Sequence, residues 1–81
     1  MSDPLQDIMC ERARQDEKWG KQNHQDLYWL GILVEEVGEV AKELIEGRPH
    51  KARNELVQTA AVCLAWLECI ERRREPYTTI D

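Results

Sequence analysis

Histidine is scarce, and the two present, His24 and His50, neither cluster nor follow a glutamate by three positions. That removes a histidine-based zinc site and the Glu-x-x-His pairs of a di-iron carboxylate bundle. Cysteine is limited to Cys10, Cys63 and Cys69, an odd number without any C-x-x-C spacing. No disulfide framework is expected, and the three read as small buried hydrophobes of a protein kept in a reducing compartment. No stretch reaches the ~18 consecutive apolar residues of a membrane span, and acids stand where a leader would carry a basic region. A cytoplasmic protein without membrane association is the expectation. A basic surplus is missing too: 16 Asp plus Glu face 11 Lys plus Arg, a net charge of −5. This argues against a nucleic-acid polymer as partner, because backbone neutralisation needs a positive surface. Alternating strand patterns, internal repeats and low-complexity segments are likewise absent.

What remains is helical periodicity. Residues 1–81 read as one domain, with ends 1–3 and 75–81 expected to be flexible. A first helix runs from about Pro4 to Trp19, with Ser2 or Asp3 as cap, Pro4 at the first position and a stripe of Leu5, Ile8, Met9 and Ala13; Gly20 ends it. After a polar loop, Asp26 is placed to cap a second helix whose stripe is Leu30, Leu33, Val37, Val40, Ala41, Leu44 and Ile45. Gly47 and Pro49 stop that helix. The third runs from about Lys51 to Arg73, with Leu56, Ala60, Cys63, Leu64, Leu67 and Ile70 on one face, widened by Val57, Ala61, Val62, Ala65 and Trp66. Between Thr59 and Leu67 it has no charged residue on any side. A helix apolar all round must be covered all round, which so short a chain can hardly do alone. The fold class that follows is all-α, with a helical hairpin from each chain forming a four-helix bundle across a homodimer, and Trp66 or Leu67 in or beside the interface. The Glu71-Arg72-Arg73-Arg74 run reads as cations favouring a helix C-terminus.

The chemistry is carried by carboxylates. Glu36 and Glu39 share one helix face, as do Glu55 and Gln58 on the next helix. A hairpin that joins these faces gathers oxygen-bearing side chains suited to Mg²⁺, which binds one or two carboxylates together with waters and substrate phosphates. Acids three and four apart repel by a few tenths of a kcal/mol per pair, and only Lys42 sits nearby to relieve Glu35, Glu36, Glu39, Glu43 and Glu46. A bound cation offsets that repulsion. Gly38, in mid-helix at a cost of about 1 kcal/mol relative to alanine, points to a close approach at that level.

The sequence Leu33-Val34-Glu35-Glu36-Val37-Gly38-Glu39-Val40-Ala41-Lys42, followed by Glu55-Leu56-Val57-Gln58 and an alanine-rich apolar helix, resembles the MazG-like all-α nucleoside triphosphate pyrophosphohydrolases. Their two-part signature is E-x-x-E, then E-x-x-D, and the likeness spans about Trp19 to Ile70. The resemblance implies a Mg²⁺-dependent enzyme, with Mn²⁺ as a substitute, that splits a nucleoside triphosphate into monophosphate and pyrophosphate. It also implies a homodimer or a dimer of dimers. Carried over to this chain, it makes Glu36, Glu39 and Glu55 metal ligands, with Glu36 and Glu39 in the catalytic set; Glu35, four residues before Glu39, joins that set by its spacing as a candidate water-orienting base. Gln58 stands where the family has aspartate, so that metal position supplies an oxygen without a charge.

Aromatic and amide groups just ahead of the motif offer a nucleobase a surface to stack on and donors and acceptors to be read by: Trp19, Gln22, Asn23, His24 and Trp29. Lys21 and Arg53 are the cations assigned to phosphate. Trp29 stands where the second helix's stripe begins, a position more often core than stacking surface, and Trp66 reads as packing. The alternative to an enzyme is a noncatalytic dimeric helical module that regulates or binds a partner, a reading that Gln58 keeps open.

Overall fold

The computed structural model describes residues 3–74, all helix apart from the connections: α1 (Pro4–Trp19), α2 (Asp26–Ile45) and α3 (Pro49–Arg74). The expectation of flexible ends at 1–2 and 75–81 lies outside these residues. Asp3, one of the two cap candidates, holds the cap position of α1. Its backbone is extended, its carboxylate accepts from the Leu5 N–H at 3.1 Å, and Pro4 opens the helix with the fixed φ that suits the first turn. Gly20 closes α1 at φ 71°, a conformation that favours glycine, and its N–H returns to the Asp16 carbonyl at 2.7 Å.

The turn between α2 and α3 is a Schellman closure. Gly47, at φ 78°, donates to the Leu44 carbonyl at 3.1 Å, and Arg48 donates to the Glu43 carbonyl at 2.8 Å. Pro49 does not lie in a linker, as its stop-signal reading implied; it is the first residue of α3, which therefore begins two residues earlier than expected. Asp26 does not cap α2. Gln25 holds the cap position without a side-chain bond, and the Asp26 carboxylate is used elsewhere.

α3 is the common partner: α2 and α1 each pack on it and not on each other. The core is small. Trp29 of α2 is 1% exposed and sits against Val62, Ala65 and Cys69 of α3, with Ile32, Leu33 and Trp66 flanking it. Alanines and a cysteine on α3 make room for one large indole, so truncating Trp29 to alanine removes the side chain that fills the core, at a typical cost of about 3–5 kcal/mol.

Three expected apolar stripes are rotated from their reading. In α1, Leu5 and Met9 are exposed at 73% and 59%, while Arg12 is buried and Asp7, Ile8, Glu11 and Gln15 are half-buried. Polar partners on α3 decide this: Arg12 bonds Glu68, and Asp7 accepts from Arg53 at 2.9 Å, so α1 is held to α3 largely by ion pairs. In α2 the inward face is Trp29, Leu33, Glu36 and Val40, whereas Leu30, Val37, Leu44 and Ile45 point away, because the bulk of Trp29 fixes the rotation of the helix. In α3 the widening set is the buried one, Ala61, Val62 and Ala65, and Leu56 and Leu67 are exposed. Trp66 is half-buried packing, as read. Of the cysteines only Cys69 is buried; Cys63 is intermediate and Cys10 exposed, and all are free. No helix among the described residues is long and apolar enough to cross a membrane.

Candidate functional site

Because α1 and α2 lean on α3 without meeting each other, a cleft of about 240 Å³ opens between them. Each helix contributes a face with helical spacing. Glu11, Arg14, Gln15 and Trp19 come from α1, Trp29, Ile32 and Glu36 from α2, and Gln58, Val62, Ala65 and Arg72 from α3. Lys21 and Gln22 of the connecting loop complete the wall. The cleft is therefore apolar at Trp29, Ile32, Val62 and Ala65 and charged around them, the mix expected of a ligand pocket.

Glu36 is the residue around which the electrostatics turn. One of its carboxylate oxygens, Oε2, is buried and has no hydrogen-bond partner. Burial pushes its pKa above the usual carboxylate range, and the charges of Glu55, Glu39, Glu35 and Glu11 push it further in that order. Glu55 is also raised, first by burial and then by Glu39, Glu43 and Glu11. The two halves of the sequence motif thus meet electrostatically. Glu36 and Gln58 line the cleft; Glu55 is half-buried beside it, and Glu35 and Glu39 are exposed and outside the lining. Among the described residues no group of three or more His, Cys, Asp and Glu side chains gathers tightly enough to enclose a metal by itself. This donor set still fits Mg²⁺, which takes one or two protein carboxylates and completes its shell from waters and phosphate oxygens. The orphaned oxygen of Glu36, in a field of acids, is the observation that favours a cation there.

The residues expected to meet substrate divide. Trp19, Lys21, Gln22 and Trp29 line the cleft. Trp19 is 52% exposed, with the Lys18 ammonium 4.6 Å from its ring centroid, whereas Trp29 belongs to the core and presents only part of its surface. Asn23, His24 and Arg53 are placed elsewhere. Asn23 accepts two bonds from Arg72, at 2.9 and 3.0 Å, and His24 packs against Tyr28 and Trp29 with centroids 4.5 and 4.9 Å away. Arg53 is engaged by Asp7, away from the lining. Gly38 has open space around it, so no close approach within the chain accounts for it.

Several cleft residues were not anticipated: Glu11, Arg12, Arg14, Gln15, Asp16 and Arg72. The α1 group was legible as polar pairs four apart, Glu11 with Gln15 and Arg12 with Asp16, but an inward polar face was outweighed by the apolar residues of the same helix. Arg72 does more than complement a helix terminus. It donates to the Gln22 carbonyl at 2.9 Å and to Asn23, and so fastens the loop bearing Lys21 and Gln22 onto α3. Compared with known proteins, the chain matches no family model, no curated protein and no solved structure.

Proposed function

We propose that the cleft binds a nucleoside triphosphate with Mg²⁺, or Mn²⁺ in its place, and that one water is consumed as the anhydride bond between the α and β phosphorus atoms breaks, releasing the monophosphate and pyrophosphate. The observation that carries this reading is the partnerless, buried Glu36 oxygen in a cleft shared with Gln58, with Glu55, Glu39 and Glu35 acting on it. Glu36 and Gln58 would hold the metal from the cleft wall, with Glu55 and Glu39 supplying negative charge behind them. When bound, the metal would offset charge that gathers on the phosphate oxygens. Trp19, at the exposed end, offers a face for the base, and Lys21 and Gln22 lie where a polar ligand needs donors. Glu35, exposed on the turn before Glu39, is a water-orienting base only if a ligand or a second chain encloses it.

A homodimer, or a dimer of dimers, belongs to the same proposal. Leu27, Leu30, Val34, Val37 and Leu44 recur on α2 at alternating spacings of three and four, with Ala41 filling the series, and all five are 44% exposed or more. Gly31 and Gly38 lie beside that stripe with nothing within 4 Å of an added Cβ. Such a seam is the pattern of a helix seated on another helix, and five turns of it are on the scale of the about 800 Å² per partner that a stable interface buries. The occupant we assign is α2 of a second copy. Of the two α3 residues expected at the interface, Trp66 is engaged within the chain by Asp26 and Leu67 is 57% exposed; the seam we assign lies instead on the outer face of α2.

A noncatalytic binding module keeps one observation in its favour: Gln58, which lines the cleft without a charge. Incubating the protein with a panel of nucleoside triphosphates and Mg²⁺, and distinguishing pyrophosphate from orthophosphate, separates the two. Pyrophosphate release supports the enzyme; binding without any release supports the module.

A further inference from the structure

Glu11 and Arg14 lie one turn apart on α1, and both line the cleft. The Glu11 side chain is only 13% exposed, whereas that of Arg14 is 54% exposed. Arg14 reaches in from the solvent side and grips the carboxylate at both oxygens, Nε to Oε1 at 3.0 Å and Nη2 to Oε2 at 2.6 Å, with Gln15 adding a weaker bond at 3.3 Å. Glu11 lines the same cleft as Glu36 although it belongs to a different helix, and its charge is the smallest of those that raise Glu36 and Glu55. A sunken carboxylate in the same cleft as an orphaned Glu36 oxygen therefore has as its counter-ion a long side chain that is 54% exposed to solvent.

We propose that Glu11 and Arg14 form an exchangeable counter-ion pair: a divalent cation entering beside Glu36 takes over the Glu11 carboxylate, directly or through a bound water, and Arg14 swings away to meet the anionic part of the ligand. The inference rests on the metal–nucleotide reading of the cleft. Both partners of the exchange are chemically matched, since a carboxylate binds either guanidinium or Mg²⁺, and a guanidinium binds carboxylate or phosphate bidentately. Glu11 would be a positioning group for the cation and Arg14 a contact for phosphate. The consequence is coupling: cation binding frees the arginine, so metal and nucleotide each improve the other's affinity.

The test is Mn²⁺ binding by the intact protein without nucleotide, read by calorimetry or by the electron paramagnetic resonance of free Mn²⁺, at 0.15 M salt. Glu11→Gln should weaken Mn²⁺ and Arg14→Gln should tighten it, each about three- to tenfold, while Arg14→Gln weakens nucleotide in the presence of Mn²⁺. In the Glu11→Gln background, Arg14→Gln should no longer tighten Mn²⁺, because the competition is gone. Equal, additive effects of the two substitutions would mean distant electrostatics and would overturn the exchange. So would unchanged Mn²⁺ affinity in both single variants while Glu36→Gln abolishes it, an outcome that leaves the reading of the cleft standing. Absence of Mn²⁺ binding by the wild type, with or without nucleotide, would remove both. Arg14→Lys, which keeps the charge but loses the two-pronged grip, should fall between wild type and Arg14→Gln and guards against misfolding as the cause.

Discussion

Trp66 donates its indole N–H to the Asp26 carboxylate at 2.9 Å, and Arg73 donates to the same oxygen at 2.7 Å. One acid at the start of α2 thereby holds the last third of α3 in register with it. The bonds stand at the end of the cleft where Arg72 secures the loop of Gln22 and Asn23, so the hairpin and the loop are tied down together.

Asp26→Ala should lower the melting temperature by a few degrees and move the Trp66 indole N–H resonance, whereas a helix-cap role would leave that resonance in place. The pH dependence has a definite sign. The Trp66 bond, then the Arg73 bond, holds the Asp26 pKa below the ordinary aspartate value. Its contribution to stability is thus present above the unfolded pKa, about 3.9, and is lost as pH falls through the lower folded value. Thermal melts between pH 2 and pH 5 should show a shallower acid limb in Asp26→Ala than in wild type.

Glu36 behaves in the opposite sense. Its folded pKa is raised, first by burial, so the native state holds a proton more readily than the unfolded chain does. Stability from this group is full below the unfolded pKa and declines as pH rises through the folded one. At pH 7 without metal, Glu36→Gln should therefore be more stable than wild type. Relief of like-charge repulsion on the order of 0.5 kcal/mol corresponds to a rise of roughly 2–4 °C for a domain of this size. Melts at pH 7 and pH 4 should show the gain shrinking at the lower pH, and a loss of stability at pH 7 would mean that Glu36 is satisfied by a partner.

The fold was largely legible from local signals, and the facing of its helices was not. Pro4, Gly20, Gly47 and Pro49 marked the boundaries to within a residue or two because their backbone constraints act locally. Which face turns inward depends on the partner helix. Leu5 and Met9 lost to Arg12 and Asp7 because α3 offered Glu68 and Arg53, and no periodicity within α1 contains that information. The same holds for the cleft: Glu36 and Gln58 were readable from the motif, whereas the α1 wall depends on a third helix arriving beside it. Asp26 carried a cap signature and was diverted by Trp66, 40 residues away.

Assembly is tested on α2. Val34, 59% exposed, stands mid-stripe, and Val34→Asp places a charge in the seam without touching the core of the single chain. Light scattering at micromolar concentration should give at least a dimer for wild type and a mass near the 9.5 kDa of one chain for Val34→Asp. A wild-type monomer with intact helical circular dichroism would remove the second copy from the account, and an unaffected dimer in Val34→Asp would move the interface off α2.

The measurement that bears most directly on the central claim is product analysis with nucleoside triphosphates and Mg²⁺, comparing wild type with Glu36→Gln and Gln58→Asp. The account predicts pyrophosphate and monophosphate from wild type, a fall of at least about 100-fold in Glu36→Gln as a carboxylate contact to the metal is lost, and equal or faster release in Gln58→Asp, which adds a charged oxygen ligand. No pyrophosphate from either wild type or Gln58→Asp, with the helical fold intact, would contradict it.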